Sequence, residues 1–466
     1  MNRETNRKMN RRGIGPCLLL LGLSASAACH RDRGPLEPRA VSAPTVAAGA
    51  SLGGTETARR LALLPARDAT ATDAVITAMQ ERVRKDPEKL EHLITLGQAW
   101  VRKAREAADP GYYQNADACA ELALRLQPDS ALALNLRALV LLNEHRFAEA
   151  QAVAEGILAR SDFDPMALGT LSDAQLEQGR IDAAEEAVQK MVAQKPGLPS
   201  YSRAAYLYFL RGNGAAAKQA IRLAIDSAPT ARADAEPRAW AVVQAAQLFF
   251  LEGDYTGADA GFVMALRDVA DYAPALVGRA QVALAEARYR DAVPLLEAAY
   301  RRSPLAETAW LLGDARRKAG DVAGANAAYK ELVQKGRRTD PRTVALYLAT
   351  EDRELDEARA LIERERRGRN DPYTQDVYAL VLLRSGRAAE ARATIDAVLQ
   401  IGVRDPRILH HAALIHAASD DKDGARRLAT EALRLSPHFD VGGAESARAL
   451  LASLGGPVAP APLAAR

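Results

Sequence analysis

The sequence predicts an all-α, right-handed solenoid of about ten two-helix repeats with capping helices at both ends, and three observations carry that prediction. Ten alanines, at Ala116, Ala150, Ala184, Ala217, Ala258, Ala292, Ala325, Ala358, Ala391 and Ala425, recur at steps of 34, 34, 33, 41, 34, 33, 33, 33 and 34 residues, the period of a stacked helix pair. A glycine stands five residues before the alanine at Gly179, Gly212, Gly253, Gly320 and Gly386, and a proline twelve after it at Pro128, Pro196, Pro229, Pro304 and Pro437. Between these marks Ala, Leu, Arg and Glu dominate, β-branched runs are missing, and aromatic residues make up only 5% of the chain, which suits thin helix pairs packed through alanine.

Each mark has a physical role. Glycine permits the left-handed conformation that ends the first helix of a unit. The alanine falls where two helices cross closely, so a larger side chain would push them apart. Proline is tolerated at a helix start but not inside one, and here it opens the next unit. The long step between Ala217 and Ala258 holds a polar insertion around Thr230 to Arg238, and the first unit stretches between its helices through Asp109, Pro110, Gly111, Tyr112 and Tyr113.

This pattern resembles the tetratricopeptide repeat. Four residues after the alanines come Ala120, Ala154, Val188, Ile221, Phe262, Leu296, Tyr329, Ile362, Ile395 and Ala429, where that family prefers a bulky apolar residue. Leu96, Gly97 and Trp100 match its first-helix pattern, as do Leu312 and Gly313 with Trp310 displaced. The resemblance covers about three-quarters of the chain. The units at Ala358 and Ala425 depart most: neither has the glycine, and Asp420 replaces it in the second.

The N-terminus divides into further segments. Arg3, Arg7, Lys8, Arg11 and Arg12 precede an apolar stretch from about Gly13 to Ala28, the form of an export signal too short for a lasting membrane span. Residues 1–29 therefore read as a signal peptide. Ser26-Ala27-Ala28-Cys29 resembles the processing box of bacterial lipoproteins, which implies lipidation of Cys29 and, with His30 after it, an outer-membrane site. The alternative is ordinary cleavage and a soluble exported protein. Residues 30–72, rich in Pro, Ala, Gly, Ser and Thr, read as a flexible linker with a reach of roughly 35 Å. An N-terminal capping helix is expected over 73–88, the solenoid over 89–437, and a closing helix with a loose tail over 438–466.

Charge excludes one class of partner. The chain carries a formal +3, and the first 29 residues hold five basic side chains and one acidic, leaving −1 for the remainder. No basic field is left to attract nucleic acid. Arg364, Arg366, Arg367 and Arg369 interleave with Glu363 and Glu365 and read as a solvated helix end. Cys17 leaves with the signal and Cys119 has no partner, so it reads as a small buried hydrophobe.

Catalytic and metal patterns are weak. Gly212-Asn213-Gly214 with Lys218 lacks the ending of a phosphate loop and falls on a turn between helices. Asp420, Asp421, Asp423 and Gly424 lack the alternating ligands of a calcium loop and read as a polar turn. His410, His411 and His416 share a helix without the four-residue spacing of paired ligands, and His416 reads as a satisfied interior histidine. No catalytic residue, metal or cofactor is expected.

The family resemblance implies that first helices line a concave groove. In that register Tyr206, Phe209, Trp240, Gln247 and Phe250 fall on it, with Asn135 and Asn143 from the second unit. Rigid aromatics and amides suit peptide binding; the alternative is that these rings fill helix–helix contacts. The expected function is a non-catalytic scaffold of the bacterial cell envelope, binding a protein or peptide partner and held to the membrane through Cys29. The alternatives are a dedicated assembly factor for a pilus, secretion or surface-polymer machine and, third, an enzyme subunit.

Overall fold

A computed structural model describes residues 54–66, 70–107, 109–228 and 235–455. The signal, Cys29, most of the linker and the last eleven residues lie outside the described residues, as do 229–234 of the insertion. The described residues form 23 helices and no strand. Thr55–Ala62 (α1) and Ala71–Lys85 (α2) precede ten helix pairs. These are Leu90–Ala107 and Gly111–Leu126 (α3, α4), Ala131–Asn143 and Phe147–Leu158 (α5, α6), Pro165–Glu177 and Ile181–Gln194 (α7, α8), Leu198–Leu210 and Gly214–Asp226 (α9, α10), and Glu236–Leu251 and Tyr255–Asp268 (α11, α12). The series continues with Ala273–Ala285 and Tyr289–Arg302 (α13, α14), Ala306–Lys318 and Val322–Thr339 (α15, α16), Pro341–Thr350 and Leu355–Glu365 (α17, α18), Pro372–Arg384 and Ala388–Gln400 (α19, α20), and Pro406–Ala418 and Lys422–Leu435 (α21, α22). Gly443–Ser453 (α23) closes the stack. Apart from α1, which packs on α4, the helices pack chiefly on their neighbours in the stack, the all-α solenoid that the period predicts.

The landmark alanines lie near the start of the second helix of each pair, and all ten are at most 1% exposed. The glycine of the Leu–Gly pair is needed for the same reason: a Cβ on Gly97 would stand 2.3 Å from Leu136, and one on Gly313 2.2 Å from the Tyr329 ring. Helix starts are written in short polar side chains. Asp164, Asp371 and Asp405 each accept two backbone N–H groups at the head of an inner helix, followed at once by a proline. Asn213, Asp254, Asp321 and Asp421 cap second helices. The Gly-Asn-Gly segment and the acidic turn before α22 are therefore inter-helix turns, and Lys218 pairs with Glu252 at 2.5 Å.

The left-handed turn outlives its glycine. Gly179, Gly212, Gly253, Gly320 and Gly386 have φ of 72° to 93°, and His145, Ala287 and Asp420 hold the same place at 57° to 59°. In the unit of Ala358 the turn is built by Asp352 and Glu354 instead, at 52° and 46°.

Two expectations change. The composition of residues 30–72 reads as linker throughout, yet α1 forms within it. Ala58 and Ala62 are fully buried. The carbonyl of Ala62 accepts from Trp100 Nε1 (3.1 Å) and Gln80 Nε2 (3.3 Å), and that of Leu61 from Asn115 Nδ2 (2.7 Å). An eight-residue helix is unstable alone; tertiary donors complete its C-terminal end. The second change is the arginine cluster. Arg369 is not solvated but buried, held by Glu177 at 2.5 Å and Asp371 at 3.2 Å.

That ion pair spans 192 residues because the solenoid curls back on itself. The turn after α7 meets the residues before α19, where Asn370 N–H donates to the Glu177 carbonyl at 2.7 Å. The turn after α9 meets Gly402 and Arg404 before α21, and the turn after α11 meets Leu435 to Pro437 before α23. Each contact joins units six apart. At the last, His438 N–H donates to Tyr255 Oη, Tyr255 hydrogen-bonds Ser436 Oγ, and Ser436 Oγ donates to the Phe250 carbonyl. A seam thus runs between two superhelical turns, and one apolar core contains residues of both, including Leu207 and Phe209 beside Tyr373, Ile408 and Ile415.

Candidate partner-binding surface

The first helices form the inner layer and carry most of the buried polar groups of the solenoid. The seam decides what that layer offers. Tyr206, Phe209, Trp240 and Phe250 are 4% to 7% exposed. Tyr206 stacks on Phe209 with centroids 6.5 Å apart, and both share one core with Trp240. Phe250 belongs to a neighbouring core and packs against Tyr255. These four rings are helix–helix filling in this conformation, and not an open aromatic groove: Tyr206, Phe209 and Trp240 share a core with residues of the second superhelical turn, and Phe250 is enclosed by helices of its own turn. Gln247 stays half-buried. Asn135 and Asn143 lie apart from them: Asn135 Nδ2 reaches the Asp164 carboxylate at 3.1 Å, and Asn143 Nδ2 donates to the Leu139 carbonyl of its own helix.

Among the polar atoms of this layer without a hydrogen-bond partner are Trp240 Nε1 and Gln244 Oε1, four residues apart on α11 and both on buried side chains. One is a donor and the other an acceptor, the complement of a peptide group.

Sequence reading missed the inner charges. Arg203 binds Asp173 through Nε (2.7 Å) and Nη2 (2.6 Å), a two-pronged pair almost closed to solvent. Burial pushes the Asp173 carboxyl above its usual range despite that arginine. At the seam, burial would raise Glu365, but His145 at 3.6 Å and the charges of Arg369 and Arg342 outweigh it and hold the carboxyl at about 2. Arg342 also reaches Asp371 at 3.4 Å. The signal for these residues was a charge on an otherwise buried helix face; nothing local tells that Glu177 and Arg369 are neighbours.

Glu307 of α15 and Arg407 of α21 complete the layer. They belong to units seven and ten and feel each other's charge, yet no ion pair joins them. Both keep partial exposure. Burial pushes the Glu307 carboxyl up to about 7, and Arg407 Nε has no hydrogen-bond partner. Here the inner face retains two partly exposed charged side chains, although Arg407 Nε itself is buried.

The histidines of α21 are occupied internally. His416 lies 2.9 Å from Asp396 and 3.0 Å from Asp421, His411 2.9 Å from Asp376, and His410 3.0 Å from Ser446 Oγ. Burial holds His410 at about 3. Cys119 is fully buried in α4.

Comparison with known proteins agrees with this geometry. Family models of the tetratricopeptide repeat match residues 97–130, 136–199 and 277–341. These segments match the tetratricopeptide repeat, a module that generally mediates protein–protein interaction, and the described residues form an α-solenoid of such helix pairs. No curated protein matches it. Among solved structures, yeast Tom70 is similar at 16% identity, covering 82% of this chain and 96% of its own, with a TM-score of 0.34. The human IFIT1 dimer with m7Gppp-AAAA has 12% identity, 82% and 94% coverage and a TM-score of 0.44. PilW, a type IV pilus biogenesis factor, has 15% identity, 48% and 99% coverage and a TM-score of 0.39.

Proposed function

We propose that this protein is a non-catalytic scaffold of the bacterial cell envelope that holds a peptide segment of a partner on its inner face. The observation that carries the reading is the uninterrupted stack of ten helix pairs, whose inner layer holds the partly exposed side chains of Glu307 and Arg407 and, buried beneath the surface, the unsatisfied atoms Trp240 Nε1, Gln244 Oε1 and Arg407 Nε. A peptide supplies carbonyl and N–H groups that match them once the inner face opens to admit it. Tyr206 and Phe209 then act from behind, by fixing the helices that present these atoms.

The test is cross-linking capture from native membranes, comparing the natural chain with an Arg407→Gln/Gln244→Leu variant shown by circular dichroism to be folded. Loss of a defined partner set supports the reading. An unchanged set rules out the inner face, and turnover of a substrate by the purified chain rules out the scaffold. Envelope attachment through Cys29 is a separate part of the proposal, supported by the basic and apolar N-terminus and Ser26-Ala27-Ala28-Cys29. Labelling with a fatty-acid analogue that persists in a Cys29→Ser variant would refute it.

A further inference from the structure

The unit of Ala358, one of the two that depart most from the repeat, leaves an opening beside it. α16 runs for 18 residues and α17 for only 10, and Asp340 ends the first and caps the second with no linker between them. The second helix of a pair normally lies closely along the next first helix. Here the mismatch leaves a cleft of about 380 Å³. Asn326, Lys330, Gln334 and Arg337 line it from one face of α16, and Tyr347 and Arg353 from the other side. Its floor is the stacked pair of Tyr329 and Tyr347, with centroids 5.5 Å apart.

The charged side chains that line this cleft are all cations: Lys330, Arg337 and Arg353. Some arginines elsewhere find carboxylates within their own turn, as Arg288 does with Glu286 and Asp291, and Arg387 with Glu390. Arg337 at the cleft edge holds Glu354 and Glu357. Lys330 and Arg353 are both exposed and form no ion pair among the described residues. Arg353 is also held in place at a cost: it stands between Asp352 and Glu354, two non-glycine residues in the left-handed region. Its guanidinium lies 4.9 Å over the Tyr347 ring and donates to Tyr347 Oη at 3.0 Å, so its remaining donors are presented at a fixed position.

We infer that this cleft docks an acidic segment of a partner protein, with carboxylates on Lys330 and Arg353 and the segment's backbone beside the amides of Asn326 and Gln334. Charge complementarity selects the occupant: two exposed cations without carboxylate partners on an aromatic floor take Asp and Glu side chains, whose short apolar stems rest on Val333 and the tyrosine edges. The inference rests on the reading of the chain as a protein-binding scaffold but uses a surface distinct from the inner face.

The test is fluorescence anisotropy on the whole chain with a dye-labelled hexapeptide of alternating Asp and Glu. The Asn/Gln hexapeptide and inorganic phosphate serve as controls. Binding is expected for the acidic peptide alone, weakening as salt rises. A Lys330→Gln/Arg353→Gln variant should bind at least about tenfold more weakly. A Lys330→Arg/Arg353→Lys variant should retain binding, which separates lost charge from lost folding. Arg407→Gln should leave it intact, which separates this cleft from the inner face. Equal binding of the Asn/Gln peptide, full competition by phosphate, or an equal loss in an Arg222→Gln/Lys422→Gln control would overturn the inference.

Discussion

Gly212 and Gly386 occupy the same turn of their units, at φ of 72° and 75°, yet they answer to different neighbours. A Cβ on Gly212 would stand 2.5 Å from the Gly402 carbonyl oxygen, whereas one on Gly386 meets nothing within 4 Å. Backbone cannot swing aside as a side chain can. Gly386→Ala should therefore cost about 1 kcal/mol, the penalty of a left-handed alanine, which Ala287 already bears at φ 57°. Gly212→Ala should cost roughly 1–3 kcal/mol more, from the clash. Urea unfolding of the two variants measures the difference; equal losses would mean that the superhelical turns do not touch there. The same residue scale explains what was legible. The ten alanines and their flanking glycines could be read because their reasons are local, a close crossing and a positive φ. That Gly179, Gly212 and Gly253 also admit a carbonyl of the next turn could not be read, because Gly320 and Gly386 look the same in sequence.

Helices of this protein differ in how far their own sequence supports them. α2 begins with a reciprocal capping box between Thr70 and Asp73 and carries Arg82, Arg84 and Lys85 in its last turn, all visible locally. α1 has eight residues and no side-chain cap, so composition reads it as linker. It persists because Trp100, Gln80 and Asn115 donate to carbonyls at its end. Trp100→Phe keeps the ring and removes the donor at the Ala62 carbonyl. The expected loss is about 1–2 kcal/mol, with hydrogen exchange accelerating first over residues 55–62. Acceleration spread evenly along the chain would show that α1 is not held by this bond. The four expected groove aromatics fail as a surface at this scale too. Their helix register is that of the family's inner face, and register does not tell whether that face is covered.

Across the whole molecule, the seam is the feature that no local pattern encodes. Arg369 is its centre, buried between Glu177 and Asp371. Removing one member of a buried charge cluster costs roughly 3–5 kcal/mol when the partners stay buried, and the seam can escape part of that cost by opening. Arg369→Ala should therefore raise the radius of gyration seen by small-angle scattering and accelerate exchange at both 177–180 and 366–371. Exchange changing only near the substitution, with no expansion, would show that the two turns hold without this cluster. An opened seam would also uncover Tyr206 and Phe209, the residues whose burial depends on it.

The sequence by itself determined the repeat, its period, the helix starts and the packing alanines, because each unit touches mainly its neighbours and its signals are contained within about 34 residues. It also determined that His416 would be satisfied internally and that the glycine turns would stay turns. The tertiary structure alone decided which inner residues remain reachable, where α1 docks, and that a cleft opens beside α17. Those outcomes depend on how small rotations between units add up until residues 192 positions apart, such as Glu177 and Arg369, meet. A sum of that kind belongs to the stack and to no single repeat.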